Sequence, residues 1–572
     1  MDVEVLYIVE TPQDLDSFAE KCEISGNDLI LVTNSVCSTF LKKRGVDHLC
    51  LDDLINRDSY YTAKKISEKK IFSLVSQLNQ YGAKDDLELG NYFYFQLYVV
   101  LGSLHHKAFL INEALRGIEY KKIVVKAESH SELIHGFRNR IEGDFSKIVQ
   151  QNYENVRGYS FSSKKSSETL KSKLQKFLHS ERRYVFDTYT KLRNKKRRFF
   201  SFKRRKGLVL DPLYNWEFFL EKIEENFSIT YFKGESLSEM VKGRPPVDFS
   251  ELFQDCLSFE GVKLGCLFEK QIGVVWNTYK SMRTSLPRML KEIEGFEFVA
   301  ASITPFPWQN FILHCFQRKE KSVLYYQHGE MNLYNDSLFS ETMETRYTSK
   351  YICFGKGVIP KYKGKVDQVI PAGSLTIQKL RKKIFKIEKK EKPLKTIVYV
   401  TGKYFHHASP FIDSFMPDKK LLDAQEKIIN FLETLSKDDY RIVFRPSNTK
   451  YFNVVPCQIS SHIETYSDGK FTDLLEKADI LIFDSPATTV IEAAVTSVPM
   501  FVLMNRIEWF SRPKELLGKR AVISLTPERL ISKVGNYLKN RQYDADVNDD
   551  FFLKNYALGE SDSLKDVEDL FK

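Results

Sequence analysis

The stretch that decides the fold is ADILIFDSPATTVIEAAVTSVPMFVL, residues 478–503. It opens with an apolar run typical of a buried strand and continues into a polar loop. The pattern of an apolar helix follows, and then a second short apolar run. A strand, a loop, a helix and a further strand in this order predict one unit of a parallel sheet covered by helices.

Short apolar runs alternate with helical patterns along most of the chain. Before the quoted stretch they include VEVLYIV (3–9), KKIVVKAE (121–128), GLVLDPL (207–213), SVLYYQHGE (322–330), SKYICFG (349–355), QVIPAGS (368–374), KTIVYVTG (395–402) and YRIVFRPSN (440–448). We therefore predict an α/β fold of two Rossmann-like domains facing each other across a cleft. The first domain is expected to span 1–345 and the second, which ends in a C-terminal helix, 346–572.

Composition excludes several classes of protein. The eight cysteines form no CxxC pair and have no zinc-site spacing, which favours reduced thiols in a cytoplasmic protein. The N-terminus has no basic region before its apolar run, so we predict no signal peptide. The apolar stretch Tyr92–Leu104 is shorter than the roughly 20 residues of a spanning helix. We expect it to be buried core.

The positive charge is concentrated in one segment. The formal net charge is +11. Residues 164–206 alone carry 17 Lys/Arg and three acidic residues, and this segment also contains Phe199, Phe200 and Phe202. We predict a basic helical insertion at about 145–206 in the first domain. It could lie on an anionic membrane surface, bind nucleic acid, or be a solvated helix. We favour the inner face of the cell membrane over nucleic acid.

Polar residues follow the strands of the second domain. Ligands of open α/β sheets bind beyond the carboxyl ends of the strands, so these residues are the candidate donor-binding set. Hydroxyls at a helix N-terminus suit a phosphate and Glu492 suits a ribose hydroxyl, although Ser and Thr there often only cap the helix. The set comprises Gly373, Ser374, Gly402, Lys403, Arg445, Asn448, Asp484, Ser485, Thr488, Thr489 and Glu492.

Residues 478–503 resemble the C-terminal nucleotide-binding segment of GT-B glycosyltransferases, and the resemblance covers about 320–505. RIVFRPSN stands where bacterial surface-polysaccharide transferases of sialyltransferase-like and Kdo-transferase-like groups often have His-Pro. This chain has Arg445–Pro446. VLYYQHGE is similar to the Gln-His-Gly found after a late strand in several of these enzymes and in teichoic-acid glycerophosphotransferases.

The resemblance implies catalytic roles. Gln327 and Gly329 are expected at the donor, and His328 is expected to donate a hydrogen bond to the departing nucleotide phosphate. The base that takes the acceptor proton remains open between Asp211, Glu128 and Glu330. No paired aspartates stand in a fitting place, so we expect no metal and no other cofactor.

The predicted function is an inverting, metal-independent glycosyltransferase. It would move a sugar from a nucleotide-activated donor, with a CMP-linked acidic sugar as first choice, to a surface polysaccharide or glycolipid of the capsule or lipopolysaccharide kind. Three alternatives remain: a glycerophosphotransferase using CDP-glycerol, a sugar-nucleotide epimerase, and a basic nucleic-acid-binding protein.

Overall fold

The computed structural model shows an α/β chain with three parallel sheets, which follow one another in sequence. The described residues are 2–10, 14, 18, 24–33, 35–126, 144–159, 205–210, 227–232, 245–302, 304, 306–329, 333, 338–384, 395–402, 417–446, 459–467, 469–506 and 509–559. We refer to the three sheets and their helices as the first unit (2–159), the middle unit (205–384) and the last unit (395–540).

The first unit is a five-stranded parallel sheet with long helices. Its strands are β1 (Asp2–Val9), β2 (Leu29–Val32), β3 (Leu49–Cys50), β4 (Glu119–Lys126) and β5 (Val156–Tyr159), in the order β3-β2-β1-β4-β5. Its helices are α1 (Ser35–Lys43), α2 (Arg57–Ala83), α3 (Leu89–Arg116) and α4 (Asp144–Asn152), with a 3-10 turn at Leu51–Asp53. The stretch Tyr92–Leu104 lies in α3 and most of its side chains are buried, which confirms the prediction of core.

The middle unit is a six-stranded parallel sheet. Its strands are β6 (Arg205–Leu210), β7 (Phe227–Phe232), β10 (Phe298–Ala301), β11 (Ser322–Tyr326), β12 (Lys350–Ile352) and β13 (Gln368–Ile370). An antiparallel pair, β8 (Ser258–Phe259) and β9 (Val262–Lys263), lies outside this sheet. The sheet order is β13-β12-β11-β10-β6-β7, so the direction of strand succession changes between β6 and β10.

The helices of the middle unit follow its strands in the usual alternation. They are α5 (Val247–Glu251), α6 (Gly265–Glu292), α7 (Pro307–Arg318), α8 (Leu338–Thr345), α9 (Ile359–Tyr362) and α10 (Leu375–Ile384), with 3-10 turns at Gln254–Leu257, Ile293–Gly295 and Lys356–Val358. Helix α7 packs on α3 of the first unit, where Tyr92 and His314 share a hydrogen bond of 2.5 Å. The first and middle units therefore have a common buried interface.

The last unit is a second six-stranded parallel sheet. Its strands are β14 (Lys395–Val400), β15 (Tyr440–Arg445), β16 (Ile463–Thr465), β17 (Ile480–Phe483), β18 (Met500–Leu503) and β19 (Val522–Ser524). They lie in the order β16-β15-β14-β17-β18-β19, which is the Rossmann order, with its topological switch point between β14 and β17. The strands are buried along most of their length because helices cover both faces of a parallel sheet.

Helices α11 (Asp418–Glu433), α12 (Phe471–Leu475), α13 (Thr488–Ala494), α14 (Ser511–Arg520) and α15 (Pro527–Asn540) complete the last unit, and α16 (Phe551–Tyr556) follows it. Helix α16 returns to the middle unit, since a Cβ atom on Gly357 would lie 2.5 Å from the Tyr556 ring. In the part of the chain that the structure describes, no helix is both long and apolar enough to span a membrane.

The predicted α/β fold class of Rossmann-like parallel sheets is confirmed in the described part of the chain. Two details differ from expectation. The range 1–345 contains two sheets rather than one, and β12 and β13, which we assigned to the second domain, extend the middle sheet beside β11. Strand patterns show where strands occur but not which strands pair, and this is why the assignment of β12 and β13 was wrong. The predicted basic insertion at about 145–206 lies only partly within the described residues. Residues 145–159 form most of α4 and the edge strand β5 of the first sheet, 205–206 begin β6, and 160–204 lie outside the described residues.

Candidate functional site

The switch point of the last unit brings two strand-end loops into contact. Gly402 follows β14, and Ser485 follows the adjacent strand β17. A Cβ atom on Gly402 would lie 2.7 Å from the Ser485 Cβ atom, closer than two such atoms can approach, so only glycine permits this packing. Two residues of the predicted donor set therefore meet at the place where Rossmann-like sheets bind ligands.

Asp484 holds these two loops together from inside the protein. Its side chain is fully buried, and its Oδ1 atom accepts a hydrogen bond of 2.5 Å from the Gly402 backbone N–H. Its Oδ2 atom accepts from the Tyr399 hydroxyl at 2.8 Å and from Gln425 Nε2 at 2.7 Å. Burial raises the pKa of Asp484 to about 6, while these hydrogen bonds and the Arg506 charge act to lower it. The carboxylate thus aligns the loops, although we predicted that it would contact the donor.

Arg445 supplies positive charge at the same edge of the sheet. It is the last residue of β15, it is half-buried, and its guanidinium lies 5.5 Å from the centre of the Phe471 ring. Its Nε–H is buried and donates to no acceptor among the described residues, so donor capacity remains. Burial lowers the pKa of Arg445 and the negative charge of Glu492 raises it. A half-buried arginine whose Nε–H has no protein acceptor can hold a phosphate group through two parallel hydrogen bonds.

The loop after β17 leads into α13 as predicted. The residue at the N-cap of this seven-residue helix is Ala487, whose side chain cannot accept a hydrogen bond. None of the three hydroxyl residues of this segment occupies the capping position, so capping does not account for them. Thr488 is exposed, Thr489 is half-buried, and Ser485 is 8% exposed.

The Gln-His-Gly turn of the middle unit faces this helix. Gly329 has φ +64°, and a Cβ atom on it would lie 3.4 Å from Thr488 Oγ1, so the turn touches the start of α13. Gln327 is buried: its Nε2 donates to the Gly329 carbonyl at 2.9 Å and its Oε1 accepts from the Phe354 N–H at 2.8 Å. Gln327 therefore shapes the turn. His328, between these two residues, is half-buried.

The contacts of Gly373 and Ser374 are with the segment after α16. Gly373 has φ +83°, and a Cβ atom there would lie 2.3 Å from the Leu558 carbonyl oxygen. The Ser374 N–H donates to the Ala557 carbonyl at 2.7 Å, and both residues are buried. In the structure they dock the segment after α16 onto the middle unit, because the strand that precedes them, β13, belongs to the middle sheet.

Five further predicted residues lie outside the described residues, so their roles remain predictions. They are the candidate bases Asp211, Glu128 and Glu330 and the donor candidates Lys403 and Asn448. Leu210, at the end of β6, lies at the switch point of the middle sheet, directly before Asp211 in the chain.

Sequence reasoning missed a buried ion pair at the carboxyl edge of the last sheet. Arg506 Nη2 lies 2.5 Å from Asp418 Oδ1, and the two side chains are 2% and 6% exposed. Arg506 follows β18 by three residues, so the same search for polar residues after strands would have found it. Asp418 opens α11 and carries no strand-end signal.

The fold defines an α/β protein of Rossmann-like sheets, and its candidate ligand site lies where the turn at Gly329 meets the start of α13 at the carboxyl edge of the last sheet. The model of the LIC12162 family transferase matches residues 130–518, well over half of the chain. The chain belongs to this family and is a transferase.

Solved structures with similar folds include MurG of Acinetobacter baumannii, HepE of Anabaena in complex with UDP-glucose, and a variant of the wall teichoic acid polymerase TagF with CDPG. The first two are 13% and 11% identical, each covering 64% of this chain and 99% of its own, with a TM-score of 0.35. TagF is 13% identical, covering 69% of this chain and 96% of its own, with a TM-score of 0.33. No curated protein matches the chain.

Proposed function

We propose that this transferase is a GT-B glycosyltransferase that holds a nucleotide-sugar donor in its last unit. The observation that carries the proposal is the contact between Gly402 and Ser485 at the switch point, with Arg445 at the same edge. Two loops in close contact at the end of a parallel sheet, with hydroxyl side chains and a half-buried guanidinium, suit the phosphate groups of a nucleoside monophosphate or diphosphate.

The chemistry proposed for the cleft is a metal-independent, inverting transfer. When the glycosidic bond of the donor breaks, negative charge develops on the nucleotide phosphate. Arg445 is suited to stabilise that charge from the last unit, and His328, on the turn that touches α13, from the middle unit. One of Asp211, Glu128 and Glu330 takes the proton of the attacking hydroxyl.

The donor and acceptor classes rest on the resemblance of 320–505 to surface-polysaccharide transferases. We propose a CMP-linked acidic sugar as donor and a growing surface polysaccharide or glycolipid, as in a capsule or lipopolysaccharide, as acceptor. The Arg445–Pro446 pair supports a phosphate contact but does not distinguish one nucleotide base from another.

A nucleotide panel tests the proposal. We expect at least one of CMP, CDP, UDP and GDP to raise the melting temperature of the protein. Arg445→Gln should weaken binding of that nucleotide by about 10- to 100-fold, the usual value of a charged hydrogen bond. Arg441→Gln is the matched control, because Arg441 lies at the other end of β15 and pairs with Glu464. Absence of stabilisation by all four nucleotides would contradict the donor site.

We also propose that the enzyme works on the inner face of the cell membrane. Besides the basic segment 164–206, residues 350–384 contain nine Lys/Arg and one acidic residue, Asp367. Two exposed rings lie nearby, on elements that pack on the middle unit. Phe510 is 38% exposed, and Phe551 is 55% exposed, with its ring centre 5.9 Å from Lys554 Nζ. Cations with exposed aromatic rings suit an anionic lipid surface.

Sedimentation with phosphatidylglycerol vesicles tests this part of the proposal. The wild type should sediment with these vesicles and not with phosphatidylcholine vesicles. Deletion of 191–204, which ends before β6, and the double variant Phe510→Ser/Phe551→Ser separate the contributions of the basic segment and of the two exposed rings. Equal sedimentation with both lipids, or with neither, would count against membrane contact.

A further inference from the structure

A residue of the first unit contacts the helix that supports the proposed donor site of the last unit. The point of contact is the N-terminus of α11, whose N-cap residue is Pro417. A proline side chain cannot accept a hydrogen bond, so the N-cap residue of α11 cannot cap the helix in the usual way. The acceptor comes instead from another part of the chain.

Asp52 of the first unit provides this acceptor. Its Oδ2 atom accepts a hydrogen bond of 2.9 Å from the backbone N–H of Lys419, the second residue of α11. The second residue is one of the two positions that a helix-capping side chain normally serves. Asp52 is 3% exposed, and Lys419 Nζ lies 3.2 Å from Asp53 Oδ1 beside it. A carboxylate at this end of a helix also interacts favourably with the helix dipole.

Helix α11 is linked to the proposed donor loops by hydrogen bonds through Asp484. Gln425, two turns along the helix, donates its Nε2–H to Asp484 Oδ2 at 2.7 Å. Asp484 in turn accepts the Gly402 backbone N–H, and Gly402 packs on Ser485. Asp418, the first residue of α11, is fixed by its buried ion pair with Arg506. A continuous series of direct contacts therefore runs from the 3-10 turn of the first unit to the switch point.

From this series we infer that Asp52 is a positioning residue of the transferase: it caps α11 from the first unit and thereby orders the loops that hold the donor. The inference deepens the proposed function, on which it rests for the identity of the ligand. The order of the loops themselves can be measured without any ligand.

Hydrogen–deuterium exchange of the Gly402 amide provides that measurement, because this amide is hydrogen-bonded to Asp484. Asp52→Ala should speed exchange of the peptide that contains Gly402 about tenfold, the effect of losing a helix cap. Asp52→Asn keeps an acceptor oxygen and should retain most of the protection. The control is Lys42→Ala, which removes an exposed contact of 3.6 Å between α1 and Glu426 of the same helix α11. It should leave exchange at Gly402 unchanged.

A second-site variant separates capping from simple attachment of the two units. Pro417 has extended backbone angles, φ −56° and ψ 147°, which suit a capping residue. In Asp52→Ala/Pro417→Ser the new serine can cap α11 locally, so protection of Gly402 should return although the hydrogen bond between Lys419 and residue 52 of the first unit stays lost. If exchange at Gly402 does not change in Asp52→Ala, or if Pro417→Ser fails to restore it, the inference is wrong.

The binding measurement uses whichever of CMP, CDP, UDP and GDP stabilises the wild type most. Its affinity should fall about tenfold in Asp52→Ala and recover in the double variant, in parallel with the exchange rates. If none of the four nucleotides binds, the proposed function fails, while the exchange experiment still decides the role of Asp52.

Discussion

The buried carboxyl group of Glu344, on α8, leads to a pH dependence of stability with a defined sign. Glu344 is 3% exposed, and its Oε2 atom accepts hydrogen bonds from the hydroxyls of Tyr351, at 3.1 Å, and Tyr362. Burial raises the pKa of Glu344 from 4.5 to about 7, even though the two hydroxyls and the positive charge of Lys361 act to lower it.

The direction of the pH dependence follows from the proton that Glu344 binds when the protein folds. Between pH 7 and pH 4.5 the folded protein keeps Glu344 protonated, whereas the unfolded chain releases that proton. The free energy of unfolding should therefore rise as the pH falls through this window, by up to about 3 kcal/mol from Glu344 alone. Above pH 7 the folded protein holds a buried negative charge, and this contribution is absent.

Glu344→Gln isolates the effect, because glutamine resembles the protonated acid at every pH. Urea unfolding should show the variant more stable than the wild type at pH 8, by up to about 3 kcal/mol, and similar to it at pH 5. Glu292→Gln is the control, since Glu292 is exposed, pairs with Arg288 on α6 and is not among the groups that shift the pKa of Glu344. A Glu344→Gln protein less stable than the wild type at pH 8 would refute the reasoning.

Two further predictions concern the cleft and the C-terminal segment. His328→Ala should fold normally and lower kcat about 10²- to 10³-fold, as loss of a hydrogen bond to developing charge does; unchanged turnover would exclude that role. Gly373→Ala should lower the free energy of unfolding by about 1–3 kcal/mol, because φ is +83° and the new Cβ would meet the Leu558 carbonyl oxygen. Gly364→Ala, with φ +81° but open space around it, is its control, and equal losses in both would show that the contact with Leu558 contributes nothing.

The sequence predicted local structure better than it predicted the assembly of the sheets. The strand, loop, helix and second strand at 478–503 are present in the predicted order, because apolar periodicity and short polar loops are local signals. The membership of β12 in the middle sheet was not predictable in this way. Its pairing with β11 depends on contacts between Leu324 and Lys350 and their neighbours, which no local pattern contains.

The candidate site was predictable as a location but not in the role of each residue. Searching the carboxyl ends of strands found Gly402, Arg445 and Ser485, which the structure brings to one edge. The same search assigned Asp484 to the donor, whereas its carboxylate points into the protein and accepts three hydrogen bonds. The direction of a short side chain after a strand depends on what lies behind it, and here that is Gln425 on α11.

The position of Asp52 bears on how the fold of the last unit is completed. The family match begins at residue 130, so Asp52 and the whole of β1 to β4 precede it. Within the match, α11 begins after Pro417, which cannot act as a side-chain cap, and the acceptor for its second N–H comes from outside the match. The N–H groups at a helix start that lacks a local cap are satisfied by another segment, by water or by a tighter turn, and here Asp52 supplies the acceptor. The first unit therefore completes the start of α11, the helix whose Gln425 donates a hydrogen bond to Asp484 at the switch point of the last unit.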